Sequence, residues 1–240
     1  HRELGPVFDS FRPDVVIHTA YRQSGPELWP VTVEGTAHVL RATRAIGARL
    51  IHLSSDALFD GELAPGQRYA ETDDPNPITP YGDAKAAAER LVERDLPEAL
   101  VVRTSLLYAG AQPGQHERFI FDVLSGRAEA AFFSDELRCP IAVTDLAAAL
   151  LELAASERSG RLHIAGPEVL SRYEFAYAVA AAHGHDPGLL RTALSAASGM
   201  RRPRNCALDS RLAASVVRTR LRPPSEVLRP GAFAPFVPTQ

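Results

Sequence analysis

The 240-residue sequence is almost without lysine: it contains 25 arginines and a single lysine, Lys85. Arginine is planar and permanently charged, whereas lysine carries a compact ammonium group with three donors on a flexible stem. Because the chain uses arginine wherever a positive charge is enough, the one exception indicates a position that requires a primary amine. Lys85 is therefore the first candidate for a functional residue.

Cysteine is also scarce. Cys139 and Cys206 lie far apart in the sequence, and neither has a second Cys or a His at metal-ligand spacing. This pattern argues against a disulfide framework and against a zinc site of the usual spacing. It predicts two reduced thiols without a ligand, and no bound metal.

Long hydrophobic runs are absent as well. No apolar stretch reaches the length that spans a bilayer, and no charged-then-apolar leader precedes the first predicted strand. The hydrophobic content of 45% and the net charge of -3 are typical of a soluble globular protein. These features predict a cytoplasmic protein without a membrane partner.

Aromatic residues are missing from the most basic segment. Between Arg191 and Arg229 the chain holds nine arginines against two carboxylates, Asp209 and Glu226, and no Phe, Trp or Tyr. Nucleic-acid surfaces of this kind combine positive charge with aromatic rings on which bases stack. The segment therefore predicts charged protein surface and no nucleic-acid partner.

Strand-like and helical patterns alternate along the first half of the chain. The predicted strands are 14–20, 49–55 and 99–105, and the predicted helices are 33–48 and the segment from 81 onward. Strands separated by helices imply right-handed crossovers and a parallel sheet, which binds ligands at the carboxyl ends of its strands. Polar residues cluster at those ends: His18-Thr19-Ala20, Ser54-Ser55-Asp56 and Arg103-Thr104-Ser105.

The second half is less regular, and residues 110–115 carry the Gly and Pro of a loop. Helical spacing predicts helices at 117–125, 144–156, 172–183 and 208–217, and short strands at 130–133 and 161–164.

The lone lysine stands four residues after a tyrosine, in a run of strong helix formers that begins behind three prolines. Tyr81 and Lys85 are thus predicted to share one helical face. A nearby ammonium favours the phenolate, so we expect Lys85 to lower the pKa of Tyr81 and make it a proton donor near neutrality. An arbitrary Tyr-x-x-x-Lys is more often a surface pair, and the motif needs support from others.

Several ordered motifs supply that support. They are Asp14-Val-Val-Ile-His-Thr-Ala20, Val31-Thr-Val-Glu-Gly-Thr36, Leu53-Ser-Ser-Asp-Ala-Leu-Phe-Asp-Gly61, Pro80-Tyr-Gly-Asp-Ala-Lys85 and Val102-Arg-Thr-Ser-Leu-Leu-Tyr108. Together they resemble extended short-chain dehydrogenase/reductases, and within that superfamily most closely the dTDP-4-dehydrorhamnose reductases. Asp135-Glu-Leu-Arg-Cys-Pro140 and Arg202-Pro-Arg-Asn205 also resemble later motifs of that subgroup. The resemblance runs from about residue 13 to residue 221.

The resemblance implies an α/β fold: a Rossmann-like, doubly wound parallel sheet, truncated at the N-terminus, with a small C-terminal α/β substrate lobe. Residues 1–110 would form the NAD(P)-binding part, and residues 111–240 would form mainly the substrate lobe, with some segments returning to the core. The implied activity is reduction of the 4-keto group of a nucleotide-linked deoxysugar by NADP or NAD. A homodimer is compatible with the resemblance.

The resemblance also implies catalytic, cofactor-binding and substrate-binding roles for three groups of residues. Tyr81 would be the general acid, Lys85 would hold the nicotinamide ribose, and Ser55 would orient the substrate carbonyl. The cofactor would also contact Thr19, Ala20, Ser54, Thr104 and Ser105. The substrate would contact Phe59, Arg138 and Arg204. For Arg138, a solvated surface position is the alternative. His18, at the end of the first predicted strand, would either contact the cofactor or lie in the core.

Ala57 distinguishes this chain from the dehydratases that resemble this fold. Nucleotide-sugar dehydratases that resemble this fold place Asp-Glu after the hydroxyl residue, because elimination of water needs a further acid and base. Here the Glu position is Ala57, whose methyl group cannot move a proton, so dehydration is disfavoured. A nucleotide-sugar epimerase and a non-catalytic, reductase-like binding or regulatory subunit stay open.

The chain also departs from the pattern. Thr32 stands where the subgroup often has Asn, the loop from Tyr21 to Pro30 is short, and no Gly-x-x-Gly-x-x-Gly precedes Asp14. That glycine-rich turn normally receives the cofactor pyrophosphate and belongs to a unit of about 30 residues. We therefore expect a fragment that lacks about one βαβ unit, with an unpaired edge on the first strand and poor cofactor binding.

Overall fold

The computed structural model describes residues 4–234 and 236. The α-helices are α1 (Leu4–Phe11), α2 (Gly35–Ile46), α3 (Pro80–Asp95), α4 (Gln115–Leu124), α5 (Val143–Ala154), α6 (Arg172–Ala182), α7 (Arg211–Val216) and α8 (Pro224–Val227). The strands are β1 (Val15–His18), β2 (Arg49–Ser55), β3 (Leu100–Thr104), β4 (Leu107–Tyr108), β5 (Ala131–Phe133), β6 (Leu137–Arg138), β7 (Ile141–Ala142), β8 (Gly160–His163), β9 (Leu170–Ser171) and β10 (Arg191–Ala193).

The main sheet has four strands in the order β1-β2-β3-β8, and every neighbouring pair is parallel. The register pairs Ile51 with Leu100 and Ser55 with Thr104, so β2 and β3 end side by side. The parallel α/β sheet predicted from the sequence is confirmed. Strand β1 is an edge strand of this sheet, as predicted.

Alternate residues of the central strands point to opposite faces of the sheet. Leu50 and Val101 pack under α2 and α3, in a cluster that includes Leu40 and Val92. Their neighbours Ile51, Leu100 and Val102 pack on the other side, against α5 and α7. Both faces are thus covered by helices, which explains why these strands read as continuous apolar runs.

A second core lies beyond the sheet, where α4 and α6 pack against each other and against β5. Phe121, Phe132, Phe175 and Val179 are among its buried residues. The chain after residue 110 does not stay in this core, because β8 joins the main sheet beside β3 and α5 covers one of its faces. The division at residue 110 stays a prediction.

Element positions differ from the sequence prediction in a few places. Helix α1 was not predicted, because Gly5 and Pro6 stand within it; proline is tolerated there since the first turn of a helix has no amide partners. The predicted helix 33–48 is a π-helical turn, Pro30–Glu34, that runs into α2. Cys139 and Cys206 are free cysteines, and both are buried. Within the described part of the chain, no helix has both the length and the apolar character needed to cross a membrane.

Candidate active site

A cavity of about 370 Å³ opens at the carboxyl ends of β2 and β3. Parallel strands end at one edge of a sheet, so residues far apart in sequence meet there. Eight of the predicted site residues line this cavity: Thr19, Ser54, Ser55, Tyr81, Lys85, Thr104, Ser105 and Arg138. These eight residues come from separate segments of the sequence and lie together in the cavity lining.

Helix α3 supplies the tyrosine and the lysine. The helix begins at Pro80, and the Thr79 hydroxyl caps it by accepting a hydrogen bond from the amide of Gly82 at 3.1 Å. Tyr81 therefore lies in the first turn and Lys85 one turn later, on the predicted common face. The Lys85 side chain is buried, and its Nζ donates to the carbonyl oxygen of Leu53 at 2.6 Å.

Gly82 makes the close approach of α3 to the end of β2 possible. A Cβ atom at this position would lie 2.2 Å from the carbonyl oxygen of Ala57. Alanine is normally the better helix former by about 1 kcal/mol, but here we expect Gly82→Ala to lower the free energy of unfolding by about 1–3 kcal/mol through overpacking. Urea denaturation followed by circular dichroism measures this change.

Gly35, the first residue of α2, provides the matched control. A Cβ atom there would meet nothing closer than the Pro30 carbonyl oxygen at 3.6 Å, an ordinary contact. We expect Gly35→Ala to leave stability unchanged or to raise it by less than about 1 kcal/mol. A Gly82→Ala variant as stable as the Gly35→Ala variant would contradict the tight packing between α3 and the Ala57 backbone.

The two side chains on α3 have pKa values shifted by burial. Burial lowers the pKa of Lys85 from 10.5 to about 8, although the Glu89 carboxylate opposes this shift. Burial also raises the pKa of the Tyr81 phenol, a hydrogen bond with Ser55 opposes the rise, and Tyr21 and Asp56 add to it. The net pKa shift of Tyr81 is therefore upward, whereas the sequence predicted a lowered value, because desolvation is the largest contribution.

Hydroxyl groups crowd the strand ends. The Ser55 Oγ accepts from the amide of Ala57 at 3.2 Å and donates to Asp56 Oδ1 at 3.3 Å. Ser54 Oγ and Thr104 Oγ1 are buried in the cavity wall and have no hydrogen-bond partner among the described residues. A buried polar atom without a partner costs about 1–3 kcal/mol, so these two hydroxyls mark places where a bound polar group would be stabilised.

Asp56 links the end of β2 to Ser105, directly after β3, and to Arg138 on β6. Its Oδ2 accepts a hydrogen bond from Ser105 Oγ at 2.5 Å and lies 3.7 Å from Arg138 Nε. Burial raises the pKa of Asp56, and Arg138 and the serine hydroxyls oppose the rise. Ser105 Oγ also accepts from the Cys139 amide at 3.1 Å, so both directions of this hydroxyl are used within the protein. Its position favours a structural role over the predicted contact with a cofactor.

Three arginines of the cavity lining lie around the buried carboxylate of Glu136, and these three residues, Arg138, Arg172 and Arg202, are called the arginine wall. Arg202 forms an ion pair with Glu136, and Arg138 Nη2 lies 4.0 Å from the same carboxylate. The Nη atoms of Arg138 also donate to the backbone carbonyls of Leu137, Pro203 and Arg204.

Arg172 completes this group of charges. Burial lowers its pKa to about 10, so it is still cationic at neutral pH. Its guanidinium has no hydrogen bond or ion pair with any described residue. The wall thus presents three cations against the carboxylates of Glu136 and Asp56, an arrangement that suits an anionic ligand.

Tyr21 also lines the cavity, from the loop that follows β1. Its ring centroid is 5.8 Å from that of Tyr81 and 5.8 Å from Lys85 Nζ. The Thr32 hydroxyl fixes this loop, since it accepts from the amide of Arg22 at 3.1 Å and donates to the Arg22 carbonyl at 3.3 Å. The residue that departs from the subgroup pattern therefore holds the loop that carries Tyr21.

The structure keeps three predicted residues away from the cavity lining. Phe59 is fully buried and stacks on Tyr69 with 3.9 Å between ring centroids, so its side chain belongs to the core. Arg204 is on the surface, where it pairs with Glu62 at 2.8 Å. Ala20 is exposed and does not contribute to the lining. Phe59 and Arg204 therefore do not have the predicted position of substrate contacts.

His18 takes the core position that the sequence left as an alternative. It is 6% exposed and its Nε2 lies 3.0 Å from Thr36 Oγ1. Burial and the charge of Lys85 lower its pKa to about 4, so its ring is neutral at physiological pH.

Sequence reasoning missed several cavity residues: Tyr21, Tyr108, His116, Glu136, Arg172 and Arg202. Tyr108, Glu136 and Arg202 stand within motifs that carried the family resemblance, so a signal existed for them. Arg172 and His116 have no comparable local signal, because only the packing of α4 and α6 brings them to the cavity. No group of three or more His, Cys, Asp or Glu within residues 4–234 and 236 is arranged to hold a metal ion.

Comparison with known proteins gives consistent matches. Residues 2–229 match the family described as RmlD substrate binding domain. The dTDP-4-dehydrorhamnose reductase of Mycobacterium tuberculosis is 37% identical over 199 residues, which cover 81% of this chain and 66% of that protein. The methionine adenosyltransferase 2 subunit beta of Bos taurus is 32% identical over 219 residues, which cover 85% of this chain and 64% of that protein. The chain thus spans just under two thirds of the length of these relatives.

Among solved structures, the dTDP-4-dehydrorhamnose reductase of Bacillus anthracis in complex with NADP has a TM-score of 0.82 at 22% identity. The match covers 95% of this chain and 83% of that one, and at this identity it establishes the fold. The resemblance indicated by the sequence motifs is confirmed.

Proposed function

The chain belongs to the RmlD substrate binding domain family, and from this premise we propose that it acts in the NAD(P)H-dependent reduction of the 4-keto group of a nucleotide-linked deoxysugar. The reaction is that of a short-chain dehydrogenase/reductase acting on a substrate such as dTDP-4-dehydrorhamnose, with Tyr81 as the general acid. One observation carries the proposal: Ser55, Tyr81 and Lys85 line a single cavity at the carboxyl edge of a parallel sheet.

Proton delivery is assigned to Tyr81 because its side chain lines the cavity together with Ser55 and Lys85. Burial raises the pKa of the phenol, so it is protonated at neutral pH, which is the state that a general acid must have before reaction. Tyr81 donates its proton to the substrate carbonyl oxygen, and the Ser55 hydroxyl donates a hydrogen bond to the same oxygen. As the phenolate forms, the positive charge of Lys85, one helical turn away, stabilises it.

The cavity residues fit the nicotinamide-ribose end of NADP or NAD. Lys85 uses one of its three donors on Leu53, which leaves two for ribose hydroxyls. The partnerless hydroxyls of Ser54 and Thr104 add further polar contacts in the wall, and Thr19 lies at the end of β1. When bound, the reduced cofactor supplies the hydride that reaches the carbonyl carbon.

The substrate's diphosphate is assigned to the arginine wall. Arg172 offers a full set of donors, since none is used within the described residues. Arg202 shares its charge with Glu136, while Arg138 is largely held by backbone carbonyls. We therefore assign the main diphosphate contact to Arg172, with Arg138 as the residue that orients the wall. The Glu136 carboxylate offsets part of the positive charge of these arginines.

The test is turnover by the protein with NADPH and dTDP-4-dehydrorhamnose. We expect loss of the nicotinamide absorbance and formation of a 4-hydroxy sugar. A folded protein that binds the sugar nucleotide but oxidises no NADPH would overturn the proposal. An epimerase would convert the sugar without any net change in NADPH, so product analysis separates the two activities.

The pH dependence follows from the pKa of Lys85, which burial lowers to about 8. The ammonium is the active form, so kcat/KM is expected to be flat below about pH 8 and to fall about tenfold per pH unit above it. A profile measured from pH 6 to 10 checks this expectation. A rate that stays constant through pH 9 would contradict the requirement for a charged Lys85.

A second candidate is a non-catalytic subunit that binds a partner enzyme. The observation that favours it is the 32% identity to a protein named as a subunit of methionine adenosyltransferase. Size-exclusion chromatography with the methionine adenosyltransferase of the same organism tests it. A stable complex that forms equally with the Tyr81→Phe variant, together with no turnover of any sugar nucleotide, would favour the subunit over the reductase.

A further inference from the structure

Tyr21 contacts both residues of the pair on α3 at once. Lys85 Nζ lies over the Tyr21 ring, 5.8 Å from its centroid, and the Tyr21 and Tyr81 rings are tilted by 50° at 5.8 Å. These distances fall within the range of cation–π and aromatic interactions. The ring is 47% exposed, so it borders the cavity and solvent together.

We propose that Tyr21 is a positioning residue: the face of its ring holds the Lys85 ammonium group at the cavity, next to Tyr81. The role belongs to the aromatic face rather than to the hydroxyl, because the contact with Lys85 is made through the ring.

The loop that carries Tyr21 is held in place for this role. The paired hydrogen bonds between Thr32 and the Arg22 backbone fix the residue directly after Tyr21. Thr32 is itself 1% exposed, at the π-helical turn that leads into α2. Tyr21 therefore lies on a segment that hydrogen bonds hold in place, although the loop has no regular secondary structure.

The other groups around Lys85 explain why a stabilising ring is needed. His52 on β2 and His18 on β1 are both buried and have lowered pKa values, so they are neutral and do not compensate the ammonium charge. Glu89, one turn further along α3, is the carboxylate that favours the charged form. Tyr81 is a neutral phenol, and the Leu53 carbonyl accepts one hydrogen bond. The Tyr21 ring adds an aromatic face to these groups, with its centroid 5.8 Å from Nζ.

The single lysine makes a direct test possible. Protein labelled with lysine carrying ¹³C at Cε gives one side-chain NMR signal, from Lys85, whose titration reports its pKa. We expect the Lys85 pKa to fall by about half a unit to one unit in Tyr21→Leu, to be retained in Tyr21→Phe and to be retained or raised in Tyr21→Trp. Tyr177→Leu, an equally exposed tyrosine on α6, is the matched control and should leave the titration unchanged.

Two results would overturn the inference. One is a Tyr21→Leu variant that titrates like the wild type, and the other is a Tyr21→Phe variant that titrates like Tyr21→Leu, since that would assign the effect to the hydroxyl. If Tyr21→Leu does not fold, a Tyr21→Trp variant with a pKa below that of the wild type would also overturn it.

Only one further readout, the shift of the alkaline limb of kcat/KM, rests on the proposed reductase function. That limb should move to lower pH in Tyr21→Leu by the shift seen by NMR. Absence of turnover in every variant would overturn the reductase proposal alone, whereas unchanged NMR titrations would overturn the role of Tyr21 alone.

Discussion

The Tyr81→Phe variant is expected to lose activity by about 10²- to 10⁴-fold in kcat, the usual contribution of a positioned general acid. The change removes only the phenolic oxygen, and the ring keeps its place beside Tyr21. Substrate and cofactor contacts are left in place, so KM should change little. Steady-state kinetics with NADPH and the keto sugar measure both constants.

Tyr177→Phe is the control for this variant, since Tyr177 lies on α6 with a half-exposed ring that contacts Tyr173. It should retain the wild-type kcat. A Tyr81→Phe variant that keeps its kcat within about threefold of the wild type would remove Tyr81 from the role of general acid.

Lys85→Arg completes this test, because it keeps the charge and removes the compact amine. A guanidinium is planar and larger, and the Lys85 side chain is only 3% exposed with its Nζ fixed on Leu53. We expect weaker NADPH binding, by about 10- to 100-fold, as hydrogen bonds to a charged donor are lost. Fluorescence titration with NADPH measures the affinity. A Lys85→Arg variant with the wild-type affinity would show that a positive charge alone is enough at this position.

Glu89→Gln is expected to cause the largest loss of stability. Glu89 and Arg103 form an ion pair with 2.9 Å between Oε2 and Nη2, and their side chains are 1% and 0% exposed. Arg103 also donates to the Asp73 carbonyl oxygen at 3.1 Å. Removing one partner leaves a buried charge without compensation, so the free energy of unfolding should fall by about 3–5 kcal/mol. Urea denaturation measures this loss.

Two further variants sharpen this experiment. Asp95→Asn breaks a surface ion pair with Arg94 at the end of the same helix, and the urea midpoint should stay unchanged because solvent screens that pair. The double variant Glu89→Leu with Arg103→Met replaces the buried pair by apolar side chains and should recover most of the lost stability. If the single variant is as stable as Asp95→Asn, the buried pair does not hold α3 against β3.

The same substitution bears on the site, because Glu89 favours the charged form of Lys85. With the carboxylate removed, the pKa of Lys85 should fall below about 8, and the alkaline limb of kcat/KM should move to lower pH. The unfolded chain holds the lysine proton up to its ordinary pKa of 10.5. Burial of Lys85 therefore destabilises the wild-type fold most below about pH 8, and this penalty fades as the pH rises toward 10.5.

Local patterns in the sequence determined the elements that carry the proposed reaction chemistry. The apolar run of β2 was predicted to the residue, and the predicted helix after the prolines is α3. The spacing of Tyr81 and Lys85 then places both on one face, because four residues make about one turn. Ser55 follows from the end of a parallel strand in the same way. These features depend on neighbours within one element, which the sequence contains.

The tertiary structure alone decided how the rest of the cavity is built. Arg172 and His116 come from helices of the second core, and no local period reveals that they meet β2 and β3. Phe59 is the opposite case, a residue that the motif predicted as a substrate contact. The turn after β2 instead places its ring on Tyr69 in the core. The raised pKa of Tyr81 was equally beyond the sequence, because desolvation depends on the whole surrounding and not on the lysine four residues away. The sequence thus determined which groups can move a proton, and packing decided their protonation and what surrounds them.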